Sequence, residues 1–311
     1  MRRVTALALA LVASTSACSA FSEDGAGGGD AGVQVATAFY PLQYVTERVG
    51  GEHIGVHNLT VPGQEPHDLS LTIRETAQIA RADLVVFEQG FQPAVDDAVE
   101  TSAEGTVLDV TEVVALVPAE DHETQEEGHE DEHEGHDHGD VDPHFWLDPL
   151  RVANLGEAVA DELADLDPEH ADDYAANAAD LRADLEALEA SYAEGLTGCE
   201  RDTVVVSHDA FGYLTRYGLR FEPIAGLSPD AEPTPADLSR LQELIEEDGI
   251  TTVFGERLAP PALVETLAED AGVTTAVLDP IEGLTDETDD EDYLSLMEQN
   301  LEALRTANGC P

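Results

Sequence analysis

The stretch "LRADLEALEASY", residues 181–192, decides how the fold is organised. Its apolar side chains recur every three or four residues and predict one buried face of a helix: Leu181, Leu185, Leu188 and Tyr192. We expect this helix to open at Pro168 and to reach about Leu196, because no glycine or proline interrupts residues 169–194. About 28 residues span roughly 40 Å in a helix, which is long enough to connect two lobes.

Strands and helices alternate on both sides of this helix. Predicted strands before it are "VQVATAF", "IGVHNLTV", "DLVVFEQG" and "GTVLDV", and those after it are "DTVVVS", "LRFEPIA", "ITTVFGE" and "VTTAVLD". Such alternation indicates βαβ units and parallel sheets. We therefore predict an α/β fold of two lobes, residues 33–165 and 198–311, joined by one long rigid linking helix at 166–197, with the ligand site in the cleft between the lobes.

The N-terminus carries the pattern of an exported protein. Residues 1–17, "MRRVTALALALVASTSA", combine two arginines, a short apolar stretch and small residues. This predicts a signal peptide that is too short to span a bilayer. Cys18 then resembles the acylated cysteine of a bacterial lipobox, with plain secretion as the alternative, and the glycine-rich residues 18–32 predict a flexible tether. We expect an extracytoplasmic protein that is lipid-anchored to the outer face of the cell membrane, or periplasmic.

The charge of the chain excludes one class of partner. The sequence holds 67 acidic and 13 basic residues, for a formal charge of -54, and all 13 basic residues are arginine. Such a surface repels nucleic acid and attracts cations. An acidic composition is also common in proteins adapted to salt, so the charge alone does not identify a function.

Two cysteines remain beyond Cys18. Outside the cytoplasm an even number of remaining cysteines favours a disulfide, here between Cys199 and Cys310. This bond would tie the start of the second lobe to the C-terminal helix. Two buried free thiols are the alternative.

A polar run interrupts the first lobe. Residues 120–140 hold eleven acids and five histidines without one apolar residue, so they cannot bury a core. We predict a disordered loop over residues 119–142, whose histidines form auxiliary weak metal sites: His122, His129, His133, His136 and His138.

Other side chains that could bind a metal lie where predicted strands or loops lead into helices. In open α/β sheets, ligands bind beyond the carboxyl ends of the strands. The candidates at such positions are His67, His144, His208, Glu256 and Asp279. Each has a structural alternative, such as packing against Trp146 for His144 or helix capping for His208. Together, three histidines and one carboxylate make the tetrahedral set that suits zinc, whereas manganese sites lean on oxygen.

Four motifs connect these residues to a known family. "EPHDLSLT" at 65–72, "DPHFWLDP" at 142–149, "SHDAFGYLTRYGL" at 207–219 and "LDPIEGL" at 278–284 resemble the cluster A-I solute-binding proteins. These proteins are the metal-binding components of bacterial zinc and manganese ABC importers. The resemblance covers nearly the whole chain from about Val33, including the long helix and the histidine-rich insertion.

The resemblance implies a ligand set for zinc. It places metal ligands at His67, His144 and His208, with Asp279 or water in the fourth position. Manganese members carry Glu where this chain has His208, so the resemblance favours Zn²⁺. Where the family often has "EPQF" this chain reads "ERLAP", which makes Glu256 a residue beside the metal, and Glu65 and Asp209 are the other candidates for orienting the histidines.

The resemblance also implies a function. We expect a protein that captures Zn²⁺ and delivers it to an ABC transporter permease with its cytoplasmic ATPase, and that is not an enzyme. Alternatives are a manganese- or iron-binding member of the same family and an adhesin-like surface protein with a structural metal. A secreted zinc hydrolase with Glu256 as its base is a further alternative.

Overall fold

The first lobe is built on a parallel sheet. A computed structural model describes residues 32–118, 141–229 and 231–311 of the chain. The elements of this lobe are β1 (Val33–Thr37), α1 (Tyr40–Gly50), β2 (Ile54–Asn58), α2 (Ile73–Arg81), β3 (Leu84–Phe87), α3 (Pro93–Ser102) and β4 (Thr106–Asp109). The strands run parallel in the order β2-β1-β3-β4. All four residues of β3 are buried, as expected for the middle of a sheet covered on both faces.

Local signals explain where the helices of this lobe begin. Thr72 and Glu75 form a capping box at the start of α2, in which each side chain accepts the other residue's backbone N–H. Proline stands in the first turn of α1 and of α3, where its missing N–H costs no helical hydrogen bond.

A two-stranded antiparallel ladder follows, formed by β5 (Val117–Pro118) and β6 (Val141–Asp142). The predicted loop was therefore too long at one end, because residues 141 and 142 pair with β5. The remaining residues of the histidine-rich loop lie outside the described part of the chain, including His122, His129, His133, His136 and His138. The predicted signal peptide, Cys18 and the tether up to residue 31 also lie outside it.

Two long helices connect the lobes. They are α4 (Pro149–Leu166) and α5 (Ala171–Gly195), which pack side by side. Near its start, α5 bonds to the first lobe through Asn177, whose side chain donates to the Val49 carbonyl. Near its end, the Tyr192 hydroxyl donates to the carbonyl of Met297 in the second lobe. The predicted apolar stripe of residues 181–192 is buried.

The second lobe repeats the parallel arrangement. Its elements are β7 (Thr203–Val206), β8 (Arg220–Pro223), α6 (Pro235–Glu247), β9 (Thr252–Gly255), α7 (Ala262–Ala271), β10 (Thr274–Val277) and α8 (Tyr293–Asn308). The strand order is β10-β9-β7-β8. A 3-10 helix spans Gly212–Tyr217 between β7 and β8. Just after β7, the backbone N–H of Asp209 donates to the Gly226 carbonyl at 3.0 Å.

The predicted disulfide is present. Cys199, just before β7, is bonded to Cys310, just after α8. One hydrophobic core runs through the first lobe and both connecting helices into α8 of the second lobe, and a smaller core fills the space around α6 and α7. Within the described ranges, no helix is both long enough and apolar enough to cross a membrane.

Candidate metal centre

Three histidines and one glutamate meet between the lobes. His67 lies in the loop after β2, and His144 follows β6. His208 follows β7 and Glu282 follows β10, both at the carboxyl edge of the second sheet. All four side chains are buried. These side chains therefore lie where ligands were expected to bind, beyond the carboxyl ends of the strands.

The distances define one compact centre. Oε1 of Glu282 lies 3.3 Å from Nε2 of His67, and 3.4 Å from Nε2 of both His144 and His208. One ligand atom from each residue lies within 4.8 Å of the others. Nε2 of His144, Nε2 of His208 and Oε2 of Glu282 are buried and have no hydrogen-bond partner among the residues that the structure describes. Buried polar atoms are normally satisfied, so these atoms are suited to a ligand held between them.

Two carboxylates orient two of the imidazole rings. Nδ1 of His144 lies 2.8 Å from Oδ1 of Asp142, and Nδ1 of His208 lies 2.9 Å from Oε1 of Glu256. A carboxylate can only accept, so Nδ1 carries the proton in each case and Nε2 presents its lone pair to the centre when the ring is neutral. Of these partners, Glu256 was predicted from the sequence and Asp142 was not. The sequence feature that could have indicated Asp142 is the "DPH" triplet, in which Asp142 also accepts the backbone N–H of His144.

Of the other two candidates for orienting the histidines, Glu65 has its Oε1 4.0 Å from Nε2 of His67. Glu65 accepts the backbone N–H of His67 at 3.0 Å and that of Asp68 at 3.2 Å, so it shapes the loop that carries His67. Asp209 lies next to His208 but lines a cavity of about 670 Å³ together with Asp142.

Asp279, the expected fourth ligand, lies outside this group. Its Oδ1 accepts the backbone N–H of Ile281 at 2.8 Å, and its Oδ2 accepts from Arg257 at 3.0 Å. Glu282, three residues further on, reaches the imidazoles instead. The physical reason is the turn after β10, which engages Asp279 in holding the backbone and sends the next acidic side chain inward. The correction concerns the identity of the carboxylate and leaves the three histidines unchanged.

Aromatic rings form one wall of the centre. Phe91 meets the His67 ring edge-on at a centroid distance of 4.7 Å, and Trp146 meets the His144 ring at 5.3 Å. Phe39 packs against both Phe91 and Trp146. These fully buried rings keep water away from one side, which strengthens every electrostatic interaction inside.

The ionisable groups of the centre are suited to binding a cation. Burial raises the pKa of Glu282, but the surrounding imidazoles outweigh burial and hold that pKa well below its usual range. Burial lowers the pKa of His208, but Glu256 and Glu282 outweigh it and raise the pKa to about 10. In His144 burial likewise lowers the pKa, while Asp142 and Glu282 raise it above its ordinary value. Protons thus balance the carboxylates, and a divalent cation is the other species that can do so.

The donor set also favours a particular cation. Three imidazole nitrogens and one carboxylate oxygen match the tetrahedral ligands of zinc. Harder cations such as Mg²⁺ and Mn²⁺ prefer sites richer in oxygen.

Comparison with known proteins agrees with this chemistry. The chain is 36% identical over 283 residues to the zinc-binding lipoprotein AdcA of Streptococcus pneumoniae, which covers 89% of this chain but 56% of AdcA. It is 34% identical over 277 residues to the high-affinity zinc uptake system protein ZnuA of Bacillus subtilis, covering 88% and 86% of the two chains. The chain therefore spans about half the length of AdcA and most of the Bacillus protein.

Solved structures show the same fold. The Zn(II)-bound ZnuA-like domain of Streptococcus pneumoniae AdcA superimposes with a TM-score of 0.74 at 34% identity, covering 89% of this chain and 99% of that domain. The laminin-binding protein Lmb of Streptococcus agalactiae, described as an adhesin with metal-transporting activity, gives a TM-score of 0.77 at 27% identity, covering 89% and 99%. The family described as zinc-uptake complex component A, periplasmic, matches residues 35–307. With the match reaching from β1 into α8 and including all four residues of the centre, this chain belongs to that family.

Proposed function

We propose that this chain is an extracytoplasmic zinc-binding protein that captures Zn²⁺ and delivers it to an ABC transporter permease. The observation that carries the proposal is the convergence of His67, His144 and His208 on Glu282 in a buried centre between two lobes. His67 and His144 come from the first lobe, and His208 and Glu282 from the second. A zinc ion bound by all four would join the lobes, and release would require that the set be broken.

The surroundings of the centre supply a route for the ion. A cavity of about 240 Å³ is lined by His67 and the three residues after it, by the start of α3 and by Ser228 of the second lobe. Asp68 lies at this cavity, where a carboxylate attracts a cation. Zinc would enter here and displace the imidazole protons that balance Glu282, so that neutral imidazoles bind the ion.

The location and the partners form part of the same proposal. Residues 1–17 would direct export, acylated Cys18 would anchor the protein to the membrane, and residues 18–32 would serve as its tether. The permease and its cytoplasmic ATPase would be the membrane partners. Support comes from the family membership and from the zinc-uptake and lipoprotein relatives.

A zinc hydrolase is the alternative from another class, and the geometry argues against it. Catalytic zinc sites hold three protein ligands and leave the fourth position to water or substrate. Here four protein groups meet, and Glu256 accepts from His208 instead of facing the centre as a base. A manganese- or iron-binding protein of the same fold remains the second candidate within the family.

Metal retention tests the proposal. Purified protein loaded with equimolar Zn²⁺ and Mn²⁺ and dialysed at pH 7 should retain one tightly bound zinc and no manganese. Single replacement of His67, His144 or His208 by Ala should abolish tight retention, whereas His57→Ala, an exposed histidine on β2, should not. Retention of manganese, or tight zinc binding by the triple variant, would contradict the proposal, and turnover of model esters or peptides would favour the hydrolase.

The histidine-rich segment has a separate test. We propose that its five histidines bind zinc weakly and in exchange. Deletion of residues 120–140 should remove the weak sites seen in a calorimetric titration and leave one tight site. Loss of the tight site on deletion would show that the segment belongs to the high-affinity centre.

A further inference from the structure

The residue before Glu282 has an unusual backbone. Ile281 has φ of 61°, the left-handed region, and among the described residues it is the one non-glycine with positive φ. For a β-branched residue this conformation is a genuine outlier, because its Cβ crowds the backbone. Ile281 is also fully buried. The strain therefore lies inside the protein, directly beside the carboxylate that joins the three histidines.

Hydrogen bonds hold this strained turn on both sides. Oδ1 of Asp279 accepts the N–H of Ile281 at 2.8 Å. Asn300 of α8 holds Asp279 in turn: its Oδ1 accepts the Asp279 N–H at 2.8 Å, and its Nδ2 donates to the Asp279 carbonyl at 2.6 Å. The indole of Trp146 donates to the Pro280 carbonyl at 2.7 Å. Strained residues persist where their surroundings over-determine them, and that is the situation here.

The strain has a direct geometric consequence for the centre. The φ angle of Ile281 sets the direction in which the chain enters Glu282. An ordinary negative φ would relieve the strain and turn the Glu282 side chain away from the three imidazoles. The conformation that completes the metal centre is therefore the strained one.

We propose that Asp279 and Ile281 are positioning residues for Glu282: Asp279 holds Ile281 in the left-handed conformation that brings the carboxylate to the histidines, and the stored strain favours its withdrawal. This inference rests on the proposed zinc-binding function. It explains why a buried isoleucine occupies a position that glycine would fill without strain. It also gives Asp279 a role that does not require contact with the metal.

A pair of variants separates backbone strain from side-chain packing. Ile281→Ala and Ile281→Gly both remove the isoleucine side chain, but only glycine removes the left-handed penalty. Zinc release into an excess of chromophoric chelator should be about five- to thirtyfold slower for Ile281→Gly than for Ile281→Ala. Ile281→Val keeps the branched side chain and the strain, so it should release zinc at about the wild-type rate. Equal release from the glycine and alanine variants, or faster release from glycine, overturns the inference.

A matched pair elsewhere controls for ordinary glycine effects. Ile224 is buried in the smaller core of the second lobe and does not have a positive φ. Ile224→Gly should be less stable than Ile224→Ala in thermal unfolding of the metal-free protein, and the two should release zinc at equal rates. At position 281 the order of stabilities should be reversed. A glycine variant less stable than the alanine variant at both positions would show that Ile281 only packs.

The absorption spectrum of the Co²⁺-loaded protein tests whether Asp279 positions Glu282 or binds the metal. Asp279→Asn keeps an oxygen that can accept the Ile281 N–H, whereas Asp279→Ala does not. Zinc release should be faster in the alanine variant than in the asparagine variant, and the visible absorption of the Co²⁺-loaded Asp279→Asn protein should match the wild type. Glu282→Gln should change that spectrum. A changed spectrum in Asp279→Asn would make Asp279 a ligand and refute its positioning role.

The proposed function and the positioning inference can be refuted separately. If wild-type protein does not retain zinc, the proposed function fails. If it retains zinc but the glycine and alanine variants at position 281 release it alike, only the positioning inference fails.

Discussion

Two of the three imidazoles of the metal centre depend on a neighbouring acid for their orientation and their charge. Asp142 faces Nδ1 of His144 and Glu256 faces Nδ1 of His208, at 2.8 and 2.9 Å. The carboxylates both fix the ring and raise the pKa of the imidazole. The same contacts that prepare the nitrogen for a metal therefore also stabilise a competing proton.

Proton release on zinc binding should reveal this competition. His208, with its pKa raised to about 10, carries a proton at pH 7 and must lose it to coordinate zinc. We expect release of at least one proton per zinc, measured as the dependence of the calorimetric heat on the ionisation enthalpy of the buffer. Because zinc displaces the proton, affinity should fall as pH falls, by about tenfold per pH unit for each proton released. Affinity that is constant between pH 6 and 8 would contradict this.

Replacing Glu256 tests the orienting contact itself. Glu256→Gln keeps the shape and removes the charge, so the pKa of His208 should fall and fewer protons should be released. The loss of orientation should weaken zinc binding by about 10- to 100-fold. Competition with a chelator of known affinity measures the zinc affinity, and Glu246→Gln is the control, since Glu246 is exposed on α6. Equal affinity for wild type and Glu256→Gln would remove Glu256 from the site.

The choice between Asp279 and Glu282 shows the limit of sequence reasoning at this scale. Asp279 follows a strand, which is where a ligand was expected, and Glu282 lies three residues into the following turn. Which of the two faces inward depends on the left-handed Ile281 and on bonds from Asn300 and Trp146. Those partners come from distant parts of the chain, so no local pattern reveals the result.

At the scale of elements, the long helices are held together by their buried stripes. Leu181 of α5 is fully buried, and one of its methyl carbons lies 3.1 Å from where a Cβ on Gly156 of α4 would be. The small residue on α4 thus lets the two helices approach closely. The helix boundaries also follow local signals: α3, α4 and α6 each have proline in the first turn.

Truncating the stripe should destabilise the protein without touching the centre. Leu181→Ala should lower the free energy of unfolding by about 2–5 kcal/mol, because a fully packed leucine leaves a cavity. Urea denaturation of the metal-free protein measures this. Leu166→Ala, at the more exposed end of α4, should change stability by about 0.5 kcal/mol or less. A similar small change for both variants would mean that the stripe contributes little to the packing.

The whole molecule is organised around the cleft. Besides the four residues of the centre, two hydrogen bonds cross the cleft: the Gly63 N–H donates to the Leu284 carbonyl at 2.7 Å, and the Trp146 indole donates to the Pro280 carbonyl. The disulfide lies at the other edge of the second sheet, since Cys199 precedes β7 whereas His208 follows it. Stability and metal binding are thus assigned to opposite ends of the second lobe.

Removing the disulfide should separate these two properties. The Cys199→Ser, Cys310→Ser double variant should lose about 2–5 kcal/mol of unfolding free energy. Zinc affinity at a temperature where the variant is folded should stay at the wild-type value. Denaturation curves and chelator competition on the same preparations provide the two measurements, and a large loss of affinity in folded protein would show that the bond also shapes the centre.

Sequence patterns alone determined the two α/β lobes, their parallel sheets, the connecting helices, the disulfide and the three histidines that meet. The lobes and helices follow from hydrophobic periodicity and turn residues, the disulfide from the even number of remaining cysteines, and the histidines from their position at strand ends and from the family motifs. The tertiary structure decided that Glu282 completes the centre and that Asp279, held by Asn300, supports a strained turn. Those outcomes depend on contacts between residues up to 215 positions apart, as between His67 and Glu282, which only the packed lobes bring together.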